Sequence, residues 1–98
     1  PNAPTGCSAV RISDSQVTVS WSQSHPSNGQ PTSNKIQRRV NGGAWTDAAT
    51  ISPANAATIG FAANQKIEHR VNASNAAGTS GWSNVAAPVY GTPTVPTN

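Results

Sequence analysis

Residues 67–74 read Ile-Glu-His-Arg-Val-Asn-Ala-Ser, and their alternation constrains this chain more than any other stretch. Ile67, His69, Val71 and Ala73 point one way, while Glu68, Arg70, Asn72 and Ser74 point the other. That period of two is the pattern of a strand with one buried face. A small-residue turn follows at 75–81, and Trp82 opens what reads as a further strand over 82–89.

The rest of the chain can be set out from this strand. Residues 7–12 read as a first strand, ended by a turn at Ser13-Asp14-Ser15. Val17, Val19 and Trp21 then alternate with Thr18, Ser20 and Ser22 in a second. Residues 23–33 hold Pro26, Asn28, Gly29 and Pro31, too many breakers for regular structure, and are predicted to be a long loop. Ile36 and Val40 mark a third strand, stopped by Asn41-Gly42-Gly43, whose tolerance of positive φ predicts a tight hairpin into Ala44-Trp45-Thr46. Residues 54–63 are alanine-rich, but Pro53, Gly60, Thr58 and Ile59 oppose a helix; Ala57, Ile59 and Phe61 suit a strand. Seven short strands with frequent turns predict an all-β, seven-stranded antiparallel sandwich.

Size agrees with one such unit. The 98 residues suffice for a single two-layer core. Only 9% are Asp, Glu, Lys or Arg, and three Trp are available as anchors, a composition that folds rather than stays disordered. The net charge of +3 comes from few groups and is too sparse for a nucleic-acid stripe, although an anionic cell-wall polymer stays open as a partner. Cys7 has no second cysteine to pair with, and is read as a small apolar side chain of the first strand. The longest apolar run is far below the ~20 residues that cross a bilayer, so no membrane insertion is expected. Nothing resembles a signal peptide, and the absence of an initiating Met suggests a piece of a longer protein. Residues 1–5 and the Pro/Thr-bearing residues 90–98 are read as linkers around a domain at 6–89, whose partners are then the neighbouring domains of the same chain.

Val17-Thr18-Val19-Ser20-Trp21, followed much later by Arg70-Val71-Asn72-Ala73-Ser74-Asn75-Ala76-Ala77-Gly78-Thr79-Ser80, resembles a fibronectin type III domain over residues 3–89. The matched positions are Trp21, Arg70, Val71, Ala73, Asn75, Gly78 and Ser80. The resemblance implies an immunoglobulin-like topology with Trp21 on the second strand beneath the sixth. Three positions depart from it. Ile67 stands where the family has a Tyr, which removes a corner hydrogen bond of roughly 1 kcal/mol. Phe61 stands where the family has a Leu. His69 falls inward, where a neutral, hydrogen-bonded core imidazole is expected. Arg38 is also inward by strict alternation, which calls for snorkelling or a bulge.

No catalytic group, cofactor or metal site is expected. Asp14 and Asp47 fall in predicted turns of different hairpins, Glu68 stands apart from them, and His25 precedes Pro26 in a loop. The loop at 75–81 carries no charge, which argues against integrin-type adhesion. Asn72-Ala73-Ser74 fits the N-glycosylation pattern. What remains is surface: Lys35, Gln37 and Arg39 beside Glu68, Arg70 and Asn72 form a mildly basic face. Lys35, Arg39, Trp45, Arg70 and Trp82 are the candidate ligand-binding residues, the two indoles serving as stacking surfaces for a saccharide. The competing expectation is that Trp45 covers a sheet edge and Trp82 packs near the last strand.

The charge-poor Ala/Ser/Thr/Asn style, with the stretches at 38–45 and 75–84, is similar to copies of this domain in tail proteins of actinobacterial bacteriophages. This resemblance implies a monomeric display module on a virion surface or in an extracellular protein, in weak contact with cell-surface polysaccharide. The second expectation is an accessory domain of a secreted polysaccharide-degrading enzyme.

Overall fold

The computed structural model describes residues 1–91, all of them in strands, turns and loops. The strands are β1 (Thr5–Arg11), β2 (Gln16–Ser22), β3 (Ser33–Val40), β4 (Thr46–Ile51), β5 (Ala56–Gly60), β6 (Lys66–Asn75), β7 (Gly78–Thr79) and β8 (Val89–Tyr90). They form two antiparallel sheets, one ordered β1-β2-β5 and the other β4-β3-β6-β7 with β8 also on β6. Cys7, Val17, Val19, Trp21, Ile36, Ile59, Phe61, Ile67, Val71, Ala86 and Val89 fill the space between them. Each fully buried Val or Ile contributes on the order of 2 kcal/mol of transfer free energy. The strands begin at Thr5 and end at Tyr90, one residue beyond each bound of the sequence-based domain, and residues 92–98 lie outside the described residues.

The hairpin after β3 is a two-residue turn. Asn41 (φ 53) and Gly42 (φ 73) both lie in the left-handed region, and the Gly43 amide donates to the Val40 carbonyl at 2.9 Å. Positive φ at both central residues gives the turn the twist of the flanking strands. A bulge interrupts β1 between Thr5 and Ser8, where Gly6 (φ 61) supplies a left-handed residue.

The last segment corrects the expectation of a regular seventh strand over 82–89. Only Val89–Tyr90 is a strand there. The amides of Ser80, Ser83 and Ala86 donate to the carbonyls of Ala73, Val71 and His69, and Val89 pairs with Ile67. The segment thus advances three residues for every two of β6. Ser83, Ala86 and Val89 are buried at this spacing, whereas period-two alternation from Val89 would have turned Ala86 outward. Hydroxyls reinforce the contact: Ser83 Oγ accepts from the Val71 amide and Ser80 Oγ from the Ala73 amide, at 3.0 and 2.9 Å.

Arg38 answers its inward position by reaching out of the core and not by a bulge, since the extra residue of the irregularity lies on β4. The β3–β4 register slips between Ile36 and Gln37, while β3 stays in register with β6, pairing Arg38 with His69. Arg38 reaches across the sandwich and donates from Nη1 to the Gly60 carbonyl at 3.0 Å. His69 is 0% exposed, and neither ring nitrogen has a hydrogen-bond partner. This differs from the expected hydrogen-bonded imidazole, because its inward neighbours along β6 are Ile67 and Val71 and the guanidinium opposite cannot accept a proton. Burial, and next the charge of Arg38, lower its pKa from 6.5 to about 4, so the ring is neutral at pH 7.

Candidate functional site

The outer face of the larger sheet gathers its charged and aromatic side chains into one stack. On β3 the side chains of Lys35, Gln37 and Arg39 share a face, and on β6 those of Glu68 and Arg70 do. The pairing sets Gln37 opposite Arg70 and Arg39 opposite Glu68. The tight turn at 41–42 brings the chain back so that Trp45 lies over both strands. The Arg39 guanidinium carbon sits 4.8 Å from the centre of the Trp45 ring, and that of Arg70 sits 4.3 Å from the same ring. Arg70 also meets Trp82, again at 4.3 Å. Trp82 immediately precedes the inward Ser83 and so stands on the outer face. Cation and ring alternate in the order Arg39, Trp45, Arg70, Trp82, each contact of a kind that contributes about 0.5–1 kcal/mol at an exposed site.

Carboxylates neutralise part of this face. Arg39 Nε donates to Glu68 Oε1 at 2.8 Å, and Lys35 Nζ lies 3.7 Å from Asp47 Oδ2. The hydrogen bond from Arg39, and then its charge, holds the Glu68 carboxyl below the ordinary range and raises the Arg39 pKa in return. Asp47 is lowered chiefly by the amide of Gln37, and then by Lys35. Arg70 has no carboxylate among the described residues. Its Nε and Nη2 both donate to Gln37 Oε1, at 3.1 and 2.8 Å, while Gln37 Nε2 donates to Asp47 Oδ1 at 3.0 Å. Partial burial, and next the charge of Arg39, lower the pKa of Arg70. The face therefore carries one cation that only a neutral amide and two indoles surround.

The structure brings Arg39, Trp45, Arg70 and Trp82 into direct contact, with Lys35 on the same face but outside the stack. The rings that were named as saccharide platforms already hold guanidinium groups. Asp47 lies within β4 rather than in a turn, because that strand starts at Thr46. Asp14 stays in the turn after β1, paired with Arg11 at 3.3 Å, and His25 lies exposed in the loop after β2. No group of three His, Cys, Asp or Glu side chains capable of holding a metal occurs among the described residues. Asn72, the glycosylation candidate, is 6% exposed, so the folded chain offers little of it to a transferase.

Two polar residues that hold the sandwich have no mark in the sequence beyond their position. Asn34 is fully buried; its Nδ2 donates to Gln23 Oε1 and the Asn72 carbonyl, and its Oδ1 accepts from the Ala54 amide. It ties β3, β6 and two loops together. Asn84 does the same between the first strand and the last segment, as its amide pairs with the backbone of Cys7. An inward parity with Ile36 is a signal for Asn34, whereas the three-residue period needed to place Asn84 is visible only once the segment is seen against β6.

No family model matches the sequence, and no curated relative does. Solved structures do resemble the fold. The twitchin kinase region of C. elegans (Fn31-NL-kin-CRD-Ig26) superposes with a TM-score of 0.83 at 28% identity, covering 94% of this chain and 17% of that one. The chicken CNTN1 FN1–FN3 domains give 0.80 at 22% identity, covering 94% and 33%. Titin module A71 from human cardiac muscle gives 0.77 at 26%, covering 90% and 89%. The chain thus has the all-β sandwich fold of fibronectin type III-like and immunoglobulin-like domains. It spans a third or less of the multidomain twitchin and CNTN1 chains, and corresponds to one domain within each.

Proposed function

We propose that this chain is a non-catalytic structural and display module of a larger virion or extracellular protein, in weak contact with cell-surface polysaccharide. The observation that carries the modular part is where the backbone enters and leaves. Thr5 pairs with Ser22 at the end of the sandwich that holds the 23–32 and 76–77 loops, whereas Tyr90 pairs with Lys66 at the opposite end. Neighbouring domains joined at these points extend in line rather than fold back. Domains of this fold within longer chains support the same reading. The assignment to a bacteriophage tail rests on composition: a charge-poor surface rich in Ala, Ser, Thr and Asn.

Small-angle scattering of the chain with its flanking domains tests the arrangement. Each such module should lengthen the particle by on the order of 35 Å, the span of a ten-residue strand. A compact particle whose length does not grow with module number overturns the in-line reading. Titration with host cell-wall polysaccharide, followed by Trp fluorescence and amide shifts, tests the contact; no response at millimolar ligand overturns it. The second reading, an accessory domain of a secreted polysaccharide-degrading enzyme, predicts a catalytic domain in the parent chain.

A further inference from the structure

On the larger sheet the Arg70 guanidinium carbon lies 4.3 Å from the ring centres of both Trp45 and Trp82, and part of the guanidinium rim carries no hydrogen bond. A guanidinium has five N–H donors around its rim. The side formed by Nε and Nη2 is spent on Gln37 Oε1, and Asp47 fixes that amide so that its oxygen faces Arg70. Nη1 makes no hydrogen bond and Arg70 no ion pair among the described residues, so the end spanned by the two terminal nitrogens remains free. The other cations of the face are already occupied, Arg39 by Glu68 and Lys35 by Asp47. Beside the open end stands Trp82, half-buried, which carries one guanidinium where Trp45 carries two.

We propose that the free end of Arg70 is an anion position whose occupant is a carboxylate-bearing polysaccharide, the carboxylate lying end-on across the two terminal nitrogens with the sugar ring beside Trp82. This rests on the reading of the face as a polysaccharide contact and names the class of sugar. A carboxylate takes two parallel hydrogen bonds from the guanidinium fork, as a phosphate also does, but a uronate carries its carboxylate on a sugar ring that can lie beside Trp82, which a poly(glycerol phosphate) chain lacks. Two rings at 4.3 Å and two hydrogen bonds to Gln37 hold the guanidinium, so the fork is positioned before the ligand arrives. The groups at hand on this sheet face are an amide and two indoles beside the cation, the set that suits a sugar ring and its hydroxyls, which favours a saccharide over an acidic peptide.

The test titrates the folded chain with oligogalacturonate, dextran, poly(glycerol phosphate) and poly-glutamate, following the Arg Nε–Hε and Trp indole resonances. Oligogalacturonate should move the Arg70 and Trp82 signals saturably at millimolar concentration, and added salt should weaken it. Arg70→Gln should reduce the affinity about tenfold, and Arg70→Lys, which keeps the charge and loses the fork, several-fold. Glu68→Gln removes a carboxylate of this face and frees Arg39, so it should tighten binding about two- to fivefold, and the gain should vanish in the Glu68→Gln/Arg70→Gln double variant; a gain that survives there overturns the assignment to Arg70. Equal binding of dextran, with no effect of Arg70→Gln, overturns the carboxylate position while leaving a saccharide contact standing. Tighter binding of poly(glycerol phosphate) or poly-glutamate overturns the choice of ligand class. No response to any probe overturns both this proposal and the polysaccharide contact.

Discussion

The side-chain amide of Asn84 replaces a strand partner for Cys7. Its Oδ1 accepts from the Cys7 amide at 2.8 Å and its Nδ2 donates to the Cys7 carbonyl at 3.0 Å, beside the β1 bulge. The two sheets are stitched there without a backbone ladder. Asn84→Ala should cost about 1–2 kcal/mol, since it leaves both backbone groups of a buried residue to find other partners. Asn84→Asp keeps the acceptor, loses the donor and should fall between. Urea midpoints at pH 7 measure both.

Acid should weaken the fold through His69. The folded ring titrates near 4 and the unfolded one near 6.5, so as pH falls the unfolded chain takes up the proton first. Stability is full above about pH 6.5, declines down to about pH 4, and loses nothing more from this group below that. The total is on the order of 3 kcal/mol. Asp47 and Glu68, held below their ordinary 3.8 and 4.5, add their own loss as pH falls towards those values, so the upper part of the slope, from about pH 6.5 to 5.5, reports His69. Denaturant midpoints at a series of pH values check the slope.

His69→Leu should remove that slope. It also replaces two unpartnered buried nitrogens with carbon, and should raise stability at neutral pH by about 1–2 kcal/mol. A destabilised Leu variant would mean that a ring nitrogen is satisfied in solution.

Arg70 and Trp82 should be energetically coupled. A double-mutant cycle of Arg70→Ala with Trp82→Ala should return about 0.5–1 kcal/mol of interaction, nearly unchanged by salt, whereas the Arg39–Glu68 pair should weaken as salt rises.

Gly42→Ala isolates a backbone effect. An added methyl group meets nothing within 4 Å, yet φ is 73. The cost should be about 1 kcal/mol from the left-handed conformation alone, read as a shift in thermal midpoint.

Where one face of a strand is buried, the sequence disclosed its place. The period of two puts Val17, Val19 and Trp21 on one side and Ile67, His69 and Val71 likewise, and all six are buried. The Asn41-Gly42 turn was legible because few residues accept positive φ. The approach of Arg39, Trp45, Arg70 and Trp82 was legible only as membership of one face, since their stacking depends on how the hairpin returns. The last segment escapes alternation because its backbone amides meet β6 carbonyls only at every third residue, Ser80, Ser83 and Ala86, while the hydroxyls of Ser80 and Ser83 take up the β6 amides between them. His69 was found inward, but its lack of a partner depends on residues far away in the chain, which alternation cannot report.

The entry of the chain at one end of the sandwich and its exit at the other has a mechanical consequence. Tension carried through neighbouring domains would act along the strands, so that the β1–β2 pairs from Ser8–Ser20 to Arg11–Val17 are loaded in shear and must give way together rather than unzip singly. Pulled by its two ends, the sandwich would thus resist through all of these pairs at once.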